Sequence, residues 1–212
     1  MSAMKFGAEF EATLMGSSVG MSDAIEAQIR VPTSSAPALL LSSGTLEALK
    51  WLALLLMTLD HVNKHLLHAS VPELFAAGRL ALPLFGLTLG YNLARPGALA
   101  SGAYSRIARR LALFGSIATV PFIALGGLGW GWWPFNIMAT LLVATLCAWL
   151  IEIGGPARLA MACMVFIVGG ALVEFWWPGL AACLIAWAYC RRPSWVTLAL
   201  WAGALASLYV IN

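Results

Sequence analysis

Charge is what this sequence has least of. Of its 212 residues, 10% are Asp, Glu, Lys or Arg, whereas 61% are hydrophobic. One soluble domain of that length cannot bury so much apolar surface, so lipid has to cover the remainder. The net charge of +3 offers no basic footprint of the kind that nucleic acid requires. The four cysteines, Cys147, Cys163, Cys183 and Cys190, stand in apolar segments without CxxC or metal-ligand spacing and read as packing residues. Nor does the amino terminus show a basic start followed by an apolar run and a cleavage site, so it is not a signal peptide. Residues 1–44 mix Gly, Ser and Ala with scattered charge, which reads as a cytoplasmic tail of low order or as extra sequence ahead of a later start.

What is present, from residue 45 onward, is one apolar stretch after another. Hydropathy places spans at 46–67, 72–93, 107–127, 135–153, 158–176, 177–190 and 194–211. The expected fold is therefore an all-α polytopic transmembrane bundle of about seven helices over 45–212. Arg95 and Arg106 lie between spans two and three with Arg109 and Arg110 in the first turn of the third, Arg158 stands at the junction of four and five, and Arg191 and Arg192 lie between six and seven. With Lys50 beside the first span, these loops fall on one side, the cytoplasm by the positive-inside rule. The opposite loops, including Trp130 to Trp133 and Trp176-Trp177-Pro178, are aromatic and poor in Lys and Arg, as outer-interface anchors should be. The amino terminus is thus inside and the carboxyl terminus outside.

Against this background a few ionisable side chains stand at membrane depth, where each demands a partner or a purpose. Asp60, His61 and Lys64 occupy the outer half of span one, and Arg79 the outer half of span two. His61 and Arg79 each lie about eight residues from the turn at 69–71, so at 1.5 Å per residue both sit about 12 Å from it and can meet at one level. Asp60 has two candidate partners, Lys64 four residues on and Arg79 across the hairpin. Pro83 removes the donor to the Arg79 carbonyl and predicts a kink there. Asn136, opening span four, either orients a substrate or caps its helix. Glu174, ending span five, reads as an interface carboxylate. His61, His65 and His68 fall at i, i+4 and i+7 without the carboxylate partner of a zinc-protease motif, so no metal is expected.

The string Leu49-Lys50-Trp51-Leu52-Ala53-Leu54-Leu55-Leu56-Met57-Thr58-Leu59-Asp60-His61, a short turn, and then Gly78-Arg79-Leu80-Ala81-Leu82-Pro83-Leu84-Phe85-Gly86 with Gly90-Tyr91 resembles the TraX family of conjugative-pilus pilin acetylases. The resemblance continues through Arg109-Arg110-Leu111-Ala112-Leu113-Phe114-Gly115 to Pro121-Phe122 and Asn136-Ile137. It implies a multi-span enzyme of the bacterial inner membrane, related to other membrane acyltransferases. Such an enzyme transfers acetyl from acetyl-CoA to the amino terminus of processed pilin.

On that implication, His61 is the candidate general base, with Asp60 orienting it and Arg79 polarising the thioester carbonyl. Asn136, Lys64 and Tyr91 are candidates for the acceptor, and Arg106, Arg109 and Arg110 for the CoA phosphates. Two other classes compete: a non-catalytic scaffold of pilus assembly, and a proton-coupled transporter with Asp60, His61 and Arg79 as relay.

Overall fold

The computed structural model describes residues 36–124 and 133–211. Among these, eight α-helices follow one another: α1 (Ser43–His65), α2 (Pro72–Gly78), α3 (Ala81–Leu93), α4 (Ala103–Ala124), α5 (Ile137–Ile153), α6 (Pro156–Leu172), α7 (Trp176–Arg191) and α8 (Trp195–Ile211). No strand is present in the described residues beyond one isolated parallel bridge, Phe135 to Val173. The helices follow the apolar stretches closely, α2 and α3 together filling the second. The largest offsets are four residues, at the end of α6 and at the start of α4, which begins at Ala103 because arginines are good helix formers even where they lower hydropathy.

Length and composition qualify the membrane expectation. Among the described residues, one helical stretch, Pro72–Leu93, is long and apolar enough to cross a membrane. The helices α1 and α4 are at least as long, but Asp60, Lys64 and the three arginines dilute them. Apolar α5, α6 and α8 have 17 residues each, about 26 Å at 1.5 Å per residue. The seven-segment order is found; seven full-length spans are not.

Residues 36–42 depart from the expected loose tail. The Tyr91 hydroxyl donates to the carbonyl of Leu41 at 3.1 Å and accepts from its N–H at 3.2 Å, while the Tyr189 hydroxyl donates to the Pro37 carbonyl at 2.6 Å. The strap is thus tied down before α1 begins, where the Ser42 hydroxyl caps the helix by accepting from the Thr45 N–H. The remainder of the expected tail, residues 1–35, lies outside the described residues, as do Trp130 and Trp132 of the tryptophan loop.

The core forms where α3, α5 and α7 meet, around Leu82, Leu141, Leu180 and Cys183. Small residues make the closest approach possible. A Cβ on Gly90 would stand 2.8 Å from the Trp187 backbone nitrogen and one on Gly86 2.7 Å from the Cys183 sulfur, so the Gly-x-x-x-Gly face of α3 lies directly on α7. By contrast, α1 packs mainly on α2 and α3. That arrangement leaves space between α1 and the α4–α5 wall.

Candidate active site

The space beside α1 is a cavity of about 470 Å³, lined along one side by Glu47, Lys50, Leu54, Met57, Asp60 and His61. Its opposite wall includes Phe85, Ala118, Leu141 and Phe175. From Glu47 to His61 it follows fourteen residues of helix, about 21 Å at 1.5 Å per residue. Most of the lining is apolar. The ionisable groups gather at its two ends, Glu47 and Lys50 at one, Asp60, His61 and Glu174 at the other.

Two local devices build the second end. At the α1–α2 turn, buried Asn63 donates to the Val71 carbonyl at 2.8 Å and accepts from its N–H at 3.0 Å. Its amide replaces the partner that this turn backbone would otherwise lack. The turn brings Gly78 onto Asp60, where a Cβ would stand 2.4 Å from that of the aspartate. Only glycine fits there without displacing the carboxylate. On the far wall, Phe135 N–H donates to Leu172 O at 2.8 Å and Glu174 N–H to Phe135 O at 2.9 Å. This short backbone pairing places Glu174 beside the start of α5.

His61 is oriented differently from the expectation. Its Nδ1 lies 2.8 Å from the Met57 carbonyl. A carbonyl oxygen only accepts, so in the neutral ring Nδ1 carries the hydrogen and Nε2 holds the basic lone pair. A helix carbonyl thus performs the tautomer-fixing assigned to Asp60. The Asp60 carboxylate is left without an ion pair among the described residues, and its Oδ1 is buried without a hydrogen-bond partner. Neither expected pairing of Asp60, with Lys64 or with Arg79, is formed.

The other candidates scatter. Arg79 donates to the Tyr209 carbonyl at 3.2 Å and packs over the rings of Phe75 and Tyr209. It therefore engages the end of α8 and does not line the cavity, although it follows Gly78 in the chain. The expected kink is found as a break, α2 ending at Gly78 and α3 beginning at Ala81. Lys64 is exposed and outside the lining, yet within electrostatic range of Glu174. Tyr91 holds the strap at the other end of the molecule.

Asn136 does line the cavity, with its polar atoms committed to structure. Its Oδ1 caps α5 by accepting from Met138 and Ala139, and its Nδ2 donates to the Gly115 carbonyl and the Thr119 hydroxyl. All four hydrogen-bonding positions of the amide are filled, which favours the capping alternative.

The arginine group divides in two. Arg106 and Arg110 share a separate cavity of about 370 Å³ with Arg95 and Asn92, whereas Arg109 lies outside it and bonds the Ser105 carbonyl within its own helix. Among the described residues no three His, Cys, Asp or Glu side chains are arranged to hold a metal ion. The functional candidate that sequence reasoning undervalued is Glu174. Its only signal was a carboxylate at the end of an apolar span, and nothing local distinguishes that from an interface residue.

These features define a class: an all-helical protein with a long, largely apolar cavity that ends on an imidazole and two carboxylates. The TraX protein family model matches residues 45–212, and the chain belongs to that family. Relatives named Protein TraX, from Escherichia coli strain K12 and from Escherichia coli, are 33% and 31% identical over 131 residues. The aligned part is 62% of this chain and 50% of each relative, so the chain spans about half the length of the curated relatives it matches. No solved structure matches the chain.

Proposed function

We propose that this protein is a multi-pass acetyltransferase of the bacterial inner membrane. It moves acetyl from acetyl-CoA to the amino terminus of a processed conjugative pilin, the reaction implied by its sequence resemblance. The single observation that carries the reading is the cavity beside α1. It sets a basic imidazole nitrogen at one end of an apolar passage of about 21 Å, commensurate with the roughly 15–20 Å reach of an extended pantetheine arm. Membrane embedding is supported by the apolar exterior: Trp51 and Leu55 on α1, Ile117 and Val120 on α4, and Met164 and Ile167 on α6 are all more than half exposed.

In the reaction, the acceptor ammonium gives one proton to Nε2 of His61, and the freed amine attacks the thioester carbonyl carbon. The C–N bond forms and the C–S bond breaks. The second proton from nitrogen leaves with the sulfur as the CoA thiol, and His61 releases the first to solvent. The donor thioester reaches this end along the α1 wall. Arg106 and Arg110, joined by Arg95, are the phosphate candidates.

The test is the mass of the mature pilin amino terminus from cells carrying the wild-type chain or His61→Ala. Acetylation by the first and none by an equally abundant second is the expected result. Full acetylation by the variant removes His61 from the chemistry.

A further inference from the structure

We propose that Asp60 and Glu174 together form a subsite for the primary ammonium of the acceptor, facing His61. This rests on the acetyltransferase reading above and assigns it two residues that recognise the acceptor by charge.

The starting observation is a contrast in how this chain treats its carboxylates. Glu152, half-buried, pairs with Arg191, and exposed Glu47 pairs with Lys50 at 2.5 Å, while Glu73, without an ion pair among the described residues, is exposed to water. Asp60 and Glu174, both partly buried in a mostly apolar cavity, have neither an ion pair nor a side-chain hydrogen bond among the described residues. Leaving a carboxylate unpaired out of water is unfavourable, and chains normally supply a cation. Here the Lys64 ammonium acts on Glu174 only at long range, being exposed and beyond ion-pair distance.

Both carboxylates are also held in place by backbone rather than by a polar partner. Gly78 fixes Asp60 from behind, and the Phe135 pairing fixes Glu174. Asp60 is thus positioned at its side chain and Glu174 at its backbone, and the carboxylate oxygens of both are left unused within the described residues. A primary ammonium has three N–H donors. Two carboxylates and the free Nε2 of His61, all on one cavity end, supply three acceptors of matching count. The third donor is then the proton that His61 removes. Acetylation converts the ammonium to a neutral amide, so the product loses the charge that held it, and the subsite discriminates substrate from product by charge alone.

The experiment uses the full chain in nanodiscs and a short glycine peptide amide, compared with the same peptide N-acetylated. Wild type should bind the free amine at least about tenfold tighter, a difference of about 1.4 kcal/mol. Glu174→Gln and Asp60→Asn should each abolish most of that preference, and Glu174→Asp should restore part of it. In acetyl transfer, Glu174→Gln should raise KM for the peptide while KM for acetyl-CoA stays within twofold, a split that a merely structural defect does not produce. Equal binding of both peptides by wild type, or an undiminished preference in a folded Glu174→Gln variant, overturns the proposal. Charge-dependent binding without any acetyl transfer leaves the subsite standing and overturns the acetyltransferase reading.

Discussion

The two ends of this helical unit handle polar groups in opposite ways. At the end bearing Arg95, Arg106 and Arg191, the buried Tyr104 hydroxyl donates to Leu93 O and accepts from the Trp187 indole, Arg191 pairs with Glu152, and Tyr91 and Tyr189 hold the strap. At the other end, Asp60 and Glu174 have no ion pair among the described residues and line a cavity beside His61. Satisfied groups stabilise a fold, and unsatisfied ones are tolerated where function requires them. The contrast separates polar groups spent on holding the fold from polar groups left open to a cavity.

The largest break in that contrast should come from His61→Ala. Under the proposed transfer, with His61 as general base, its loss lowers acetylation by about 10²–10⁴-fold, measured by mass spectrometry of the acceptor, with the variant's abundance and thermal midpoint close to wild type. A large fall in stability instead would place His61 among the structural groups.

Gly90→Val tests the opposite end. The added Cβ would stand 2.8 Å from the Trp187 backbone nitrogen, and overpacking of this kind costs about 1–3 kcal/mol. A lower unfolding temperature in detergent is expected. An unchanged midpoint shows that α3 and α7 are not in direct contact.

Asn63→Ala should cost a similar or smaller amount, about 1–3 kcal/mol, because it strands both backbone groups of Val71. Acetylation should fall with it, since the turn carries Gly78 onto Asp60. A destabilised variant with full activity uncouples the turn from the site.

The smallest effect is expected from Arg109→Gln, which lies outside the arginine cavity. Affinity for CoA, followed by equilibrium dialysis, should stay within about twofold, whereas Arg106→Gln with Arg110→Gln should weaken it, each lost phosphate contact being worth roughly 1.5–3 kcal/mol as a charge-assisted hydrogen bond. Equal losses in both sets would return the phosphate role to all three arginines.

Much of the helix order was legible because apolar runs and loop arginines are local signals. Pro83 gave the break between α2 and α3 through a missing N–H donor, and Asn136 gave the start of α5 through its capping chemistry. The site was legible only in part. Asp60 and His61 announced themselves by being ionisable in an apolar run. Arg79 was read at the right level but not in the right direction, because counting residues along a hairpin fixes depth and leaves rotation about the helix axis undetermined. Tyr91 looked like a cavity residue by proximity in the motif, yet lies twelve residues beyond Arg79, at the opposite end of α3.

By itself, the sequence determined that the chain folds into apolar helices, where most of them begin and end, and that acidic and imidazole groups occur on the first of them. Those are consequences of nearest-neighbour chemistry: hydropathy, capping and the missing donor of proline. Only the tertiary structure decided which groups share a cavity. Glu174 is brought to the cavity that Asp60 lines by a backbone pairing between segments nearly forty residues apart, His61 takes its orientation from a carbonyl one turn earlier, and Arg79 turns to the last helix. Such convergence depends on how helices rotate and pack, and no local pattern encodes it.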